Sequence, residues 1–229
     1  MVHRLLEHKA EVSAKTIDGE TPLHIAARCG HEVVGRQLVT NGADVSAKAV
    51  GGKTPLHAAP PRLLQFFLEQ GADASPKDRE GSTPLHDAVT AGDVAGVRVL
   101  LAHGADASAM NSTGFAPLHL AALQGNTVVV QMLLDNGADP LGTNMWGQCP
   151  DIIAAGMMHA GLAATLQAAK ARAEVLRRAK CVAFAMGLHE RLGVGSCVQE
   201  IDAGVARMVL ELLANRWRDP LEGIGDLFS

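Results

Sequence analysis

The apolar residues of this chain come in paired bursts, each closed by a glycine and followed by a polar stretch. The pattern is clearest from Asp78 to Met110. A polar turn, Asp78-Arg79-Glu80-Gly81-Ser82, leads into Thr83-Pro84-Leu85-His86-Asp87-Ala88; beyond Gly92 a second burst passes through Val97, Leu100 and Leu101 to Gly104-Ala105-Asp106. The spacing of Val97, Leu100 and Leu101 predicts one face of a helix. Gly81 suits a turn that needs positive φ, Thr83 is a candidate helix cap, and Pro84 fits a first helical position because it has no N–H to lose. Gly92 separates the short helix from the second, and Gly104 predicts a left-handed C-cap. The stretch therefore predicts a turn, two antiparallel helices and an extended return in 33 residues.

The pattern repeats. Thr21-Pro22-Leu23-His24, Thr54-Pro55-Leu56-His57, Thr83-Pro84-Leu85-His86 and Ala116-Pro117-Leu118-His119 are followed by a degraded Cys149-Pro150-Asp151-Ile152, at spacings of 33, 29, 33 and 33 residues. Gly-Ala-Asp recurs at Gly42, Gly71, Gly104 and Gly137. In period and in the Thr-Pro-Leu-His-x-Ala signature, the chain from about Met1 to His159 resembles an ankyrin repeat array. The resemblance implies an all-α fold, an ankyrin-repeat α-solenoid with hairpin-like loops, over residues 1–160. Residues 161–229 are expected to form a C-terminal helical extension or cap.

Departures from the period carry their own expectations. Met1 to Thr16 reads as the second half of a unit, with Leu5 and Leu6 matching Leu100 and Leu101; either the chain is a piece of a longer array or its first turn, near Val2 to His8, frays. The second unit is short by four residues, and Pro60-Pro61 stands where the inter-helix glycine should be. Pro60 is expected to stop the first helix almost as it starts, and Pro61 to open the next. Four residues is about one helical turn, so the later helix keeps its facing. Past Gly161 a stripe of Leu162, Leu166, Ala169, Ala173, Leu176, Ala179, Val182 and Met186 predicts a long helix, broken at Gly193-Val194-Gly195-Ser196. A last helix is predicted over Ala203 to Trp217, capped by Asp202 and stopped by Asp219-Pro220.

Composition narrows the function. Alanine and leucine abound and tyrosine is absent, as suits closely stacked small helices. A net charge of −4 points to neither nucleic acid nor an anionic membrane, and no apolar run is long enough to span a bilayer. Cys29, Cys149, Cys181 and Cys197 lack metal-finger spacing and read as free thiols of an intracellular protein, cytoplasmic or nuclear. Equivalent histidines in stacked units stand roughly 8–10 Å apart. Zinc needs its nitrogens at about 2 Å, so His24, His57, His86 and His119 are expected to bond turn backbone and tie units together rather than bind metal. Cys29 and His31 have no orienting third group, and Gly193-Val194-Gly195-Ser196 lacks the ending of a phosphate loop. The basic run from Lys170 to Lys180 spreads around its helix and reads as a solvated face. No catalysis and no cofactor is expected.

In the family, hairpin tips and inner-helix positions meet protein partners. Carried onto this chain, the resemblance implies a partner-binding surface that includes Asp18 and Glu20, Arg79 and Glu80, then Phe115, Leu123, Met145 and Trp146. The early units are charged there; the later ones offer large apolar groups at positions expected to face solvent, the residue type that dominates hot spots. The slot before each signature holds Glu20, Lys53, Ser82 and Phe115, which predicts an exposed Phe115. The expected function is a monomeric, non-catalytic module that binds another protein. The alternative is a substrate-recognition subunit of a ubiquitin ligase. It draws on a loose resemblance of Val198, Ile201-Asp202 and Val205 to Leu213 to an F-box, whose usual Leu-Pro is here replaced by Glu200-Ile201-Asp202.

Overall fold

Every unit enters its first helix in the same way, and the chemistry of that entry builds the array. Thr21, Thr54, Thr83 and Ala116 are all extended, with ψ between 163° and 167°, and each is followed by a proline whose ring pre-sets the first helical φ. The computed structural model describes residues 11–192, with side chains described through residue 178. Its elements run in pairs, one short inner and one longer outer helix: Pro22–Arg28 (α1) with Glu32–Thr40 (α2), a single 3-10 turn Pro55–Ala58 with Pro61–Glu69 (α3), Pro84–Thr90 (α4) with Val94–Ala102 (α5), and Pro117–Gln124 (α6) with Thr127–Asp135 (α7). Pro150–Gly156 (α8) and Ala160–Leu192 (α9) follow. Inner elements pack on inner elements of the next unit and outer on outer, as in an α-solenoid.

The entry corrects one expectation. The threonine hydroxyl was the candidate cap, yet it makes no hydrogen bond to the helix backbone. Instead the Thr83 N–H donates to His86 Nδ1 at 3.1 Å, and Thr83 Oγ1 lies 2.9 Å from the same nitrogen. Ala116 has no hydroxyl and still donates its N–H to His119 Nδ1 at 3.1 Å. The histidine therefore closes the turn, and the threonine only adds to it. Because a backbone N–H can only donate, Nδ1 must accept and the ring proton sits on Nε2.

That proton reaches the neighbouring unit. Nε2 donates to a backbone carbonyl from His24 to Lys53 (3.1 Å), from His57 to Ser82 (3.3 Å), from His86 to Phe115 (3.0 Å) and from His119 to Gly142 (3.1 Å). The histidines do tie units together, as their spacing predicted. Between them the core is a ladder of signature leucines, Leu23, Leu56, Leu85 and Leu118, none more than 3 % exposed. Each such burial contributes about 1.5–3 kcal/mol.

The shortened unit folds as its prolines dictate. Ala59 turns to ψ 134°, Pro60 stays extended at ψ 158°, and Pro61 opens α3. Leu63, Leu64, Phe67 and Leu68 of α3 remain buried, so the loss of four residues preserves the facing of the outer helix. Only the inner helix is lost.

In the fifth unit Asp151 occupies the place of the signature leucine and is 7 % exposed. Lys170 of α9 brings its Nζ within 3.4 Å of Asp151 Oδ2. A buried carboxylate without such a partner is costly, so the lysine is the condition for this replacement. Leu162, Ala163 and Leu166 of α9 join the same core. Among the described residues, those through Lys170 form one compact unit and the remainder of α9 belongs to another. The helix predicted near Val2 to His8, the break at Gly193 to Ser196, the helix over Ala203 to Trp217 with its F-box-like segment, Cys181 and Cys197 lie outside the residues whose side chains are described.

Candidate partner-binding surface

Three of the hairpin tips are each held by one side-chain acceptor at the base. Asp78 Oδ1 accepts from the N–H groups of Glu80 (2.9 Å) and Ser82 (2.8 Å). Asn111 Oδ1 does the same for Thr113 and Phe115, and Asn144 Oδ1 for Trp146 and Gln148. Such Asx turns pre-set the hairpin before any neighbour arrives. Adjacent tips are then stitched through backbone: Val50 N–H to the Asp18 carbonyl (2.8 Å), Arg79 to Gly51 (3.0 Å), Ser112 to Glu80 (2.8 Å) and Met145 to Thr113 (3.1 Å). Gly81, at φ +72°, shows why this stitching needs glycine: a Cβ there would stand 3.1 Å from Ser112 N and 3.2 Å from Asn111 Cα.

The tips form a continuous ledge, and its character changes along the array. Asp18, Arg79 and Glu80 are exposed and Glu20 half-buried. Glu20 accepts from Arg28 at 3.1 Å and Lys53 donates to Asp87 at 2.9 Å; these solvent-exposed pairs contribute about 0–1 kcal/mol each. At the other end Met145 is 66 % and Trp146 61 % exposed. The Trp146 ring stands edge-on to Phe115 with centroids 5.8 Å apart, and Phe115 stands edge-on to His119 at the same separation.

Phe115 departs from the expectation of its slot: it is half-buried and packs against the core, because Trp146 and His119 flank it. Leu123, 40 % exposed, sits near the end of α6 while Phe115 precedes its start. At about 1.5 Å of rise per residue the helix alone carries Leu123 about 9 Å along the axis from Pro117, and Phe115 lies before that start. The structure brings Phe115, at the base of one tip, against Trp146 of the next tip, with Met145 beside Trp146 in that tip, and leaves Leu123 on the inner-helix face beyond them.

The electrostatics of the inner row are those of neutral imidazoles. Burial pushes His57, His86 and His119 below the usual histidine value, against the opposing pull of their bonds to the carbonyls of Ser82, Phe115 and Gly142. For Lys170, burial pulls the ammonium down, but Cys149 and the Asp151 carboxylate outweigh it and hold the group above its ordinary value. Among the described residues no three metal-binding side chains gather, and no helix is long and apolar enough to cross a membrane. Cys29 is an exposed free thiol and Cys149 a buried one.

Two features escaped the sequence reading. A cleft of about 450 Å³ opens beside the shortened unit, reaching from Arg28 and Cys29 across Pro60 to Asp87 and Asp93. Its signal was the four-residue deletion, which marked a missing turn but not the space the turn would leave. The Asp151–Lys170 pair is the other; its signal was the aspartate at a leucine position.

No curated protein matches this sequence. The family model described as ankyrin repeats (3 copies) matches residues 1–60 and 60–144, more than half of the chain. With the repeated Thr-Pro-Leu-His turns, the paired helices and the stitched hairpin tips, the match shows that this chain belongs to the ankyrin repeat family.

Proposed function

We propose that this protein binds a partner protein through the hairpin tips and adjoining inner face of its array, without catalysis, and that Phe115, Met145 and Trp146 anchor the contact. Ankyrin repeats are generally protein–protein interaction modules, and the family is typically non-catalytic. The observation that carries the reading is Trp146: it is 61 % exposed while its ring is held edge-on against the half-buried Phe115. An aromatic that is rigid and solvent-facing before binding loses little freedom on contact, which is the property of a hot spot. Asp18, Glu20, Arg79 and Glu80 extend the surface as a charged rim, and Leu123 adds an apolar contact on the inner face.

The test is quantitative affinity capture by the full chain and by its Trp146→Ala form. The expected outcome is a partner whose affinity falls by about 2 kcal/mol or more while the melting temperature barely moves. Unchanged partner recovery overturns the reading. So does a loss of about 3–5 kcal/mol of fold stability, the range for truncating a buried aromatic.

A further inference from the structure

We infer that the open edge of the last hairpin tip, at Trp146 and Gly147, receives a main-chain segment of the partner protein, which continues the backbone ladder between tips. The inference rests on the reading of the tips as a protein-binding surface and adds how the contact is made.

Four tip junctions share one geometry. The residue before each tip glycine offers its carbonyl to an N–H of the next tip: Asp18 to Val50 (2.8 Å), Gly51 to Arg79 (3.0 Å), Glu80 to Ser112 (2.8 Å) and Thr113 to Met145 (3.1 Å). The donating nitrogen also crowds the glycine. A Cβ on Gly19, Gly52, Gly81 or Gly114 would stand 3.0, 3.0, 3.1 or 2.9 Å from it. Each junction thus has two parts, a carbonyl that accepts and a bare glycine that lets the donor backbone come close.

The fifth tip keeps both parts, and among the described residues no backbone lies on it. Trp146 stands where Asp18, Gly51, Glu80 and Thr113 stand, and among the described residues nothing donates to its carbonyl. Gly147 has φ +72°, as Gly81 has, yet a Cβ on it would meet nothing within 4 Å. Gly147 is exposed where the four earlier glycines are half-buried. Asn144 Oδ1 already holds the N–H groups of Trp146 and Gln148 at 3.0 Å, so the tip is shaped before a guest arrives.

These features define what fits. An exposed edge with a carbonyl in ladder position is a template for another backbone. At the four filled junctions the donor is a main-chain N–H, so the guest is an extended or hairpin segment with a residue other than proline at the donating position. A side-chain cation could bond the carbonyl but would leave Met145 and Trp146 uncovered, at 66 % and 61 % exposed. An apolar side chain beside the donating N–H covers them.

The probe is a head-to-tail cyclised peptide of residues 109–116, whose Ser112 N–H makes this bond to Glu80 within the array. Bonds from Thr113 and Phe115 to its own Asn111 Oδ1 favour the hairpin shape. It is titrated into the full ¹⁵N-labelled chain, with the same peptide N-methylated at Ser112 in parallel. Saturable shifts are expected at the Gly147 and Gln148 amides and the Trp146 indole N–H, and none with the methylated peptide. Gly147→Asn keeps the tip, because asparagine tolerates positive φ, but its Cβ blocks the approach; it should weaken binding about tenfold, while Gly104→Asn leaves it unchanged. No shift at the last tip, equal responses to the two peptides, or full binding by Gly147→Asn would overturn the proposal. Concentration-dependent association of the chain alone, lost in Gly147→Asn, would assign the edge to a second copy and overturn it too. Because the peptide reports on the edge without a protein partner, its failure leaves the Trp146→Ala capture result standing, and failure of that capture leaves the peptide result standing.

Discussion

The ring of His86 joins two consecutive units: its Nδ1 accepts from the Thr83 N–H at 3.1 Å, and its Nε2 donates to the Phe115 carbonyl at 3.0 Å. His86 is 2 % exposed, so neither bond can be replaced by water without opening the stack. One side chain thus sets the local turn and the register of the next hairpin.

Replacing His86 with alanine strands the Thr83 N–H and the Phe115 carbonyl. Each buried unsatisfied group costs about 1–3 kcal/mol, so His86→Ala should destabilise by at least about 2 kcal/mol in urea unfolding. Thr83→Ala should cost less than about 1 kcal/mol, because Ala116 already serves the same turn in the fourth unit. The reverse order would mean that the hydroxyl, not the ring, holds the turn.

The array should weaken below about pH 6.5, the unperturbed histidine value. His57, His86 and His119 have lowered values in the folded state, so the unfolded chain takes up protons first as pH falls. Their contribution is complete above the unfolded value and is lost as pH drops from there toward the folded values. The slope is at most about 1.4 kcal/mol per pH unit for each group. Thermal melts between neutral and mildly acidic pH should show stability falling with pH, and His86→Gln should shallow the slope. A flat profile would show that these rings are already protonated or open to solvent.

Gly81 and Gly104 should answer differently to asparagine, although both have positive φ, +72° and +78°. Asparagine tolerates that backbone region. At Gly104 a Cβ meets nothing within 4 Å, whereas at Gly81 it meets the Ser112 and Asn111 backbone of the next tip. Gly104→Asn should cost less than about 1 kcal/mol and Gly81→Asn about 1–3 kcal/mol. Equal losses in urea melts would contradict the close approach at the tips.

The shortened unit should open before the array unfolds. Its inner element is a single 3-10 turn, so α3 has less helix to pack against than α5 has in α4. Native-state hydrogen exchange should find amides from Leu63 to Leu68 less protected than those from Val97 to Leu101. Equal protection would mean that α3 draws its stability from α2 and α5 alone.

Sequence alone determined the period, the helix boundaries set by proline and glycine, the truncation at Pro60 and the linking role of the histidines. All of these are local rules or rules that repeat: φ limits, missing N–H groups and a 33-residue spacing are written in one dimension. Tertiary structure decided the rest. Whether Thr83 or His86 closes the turn depends on which acceptor lies nearer to one N–H, and spacing does not encode that distance. Phe115 is half-buried because Trp146, 31 positions later, stands edge-on to it across a stitched hairpin. The cleft exists because the helices on either side of the deletion are complete and cannot collapse into the gap, since their own neighbours hold them in register. Asp151 is buried because Lys170 reaches it from a helix outside the repeat pattern. Each of these depends on two segments meeting in space, and only packing brings them together.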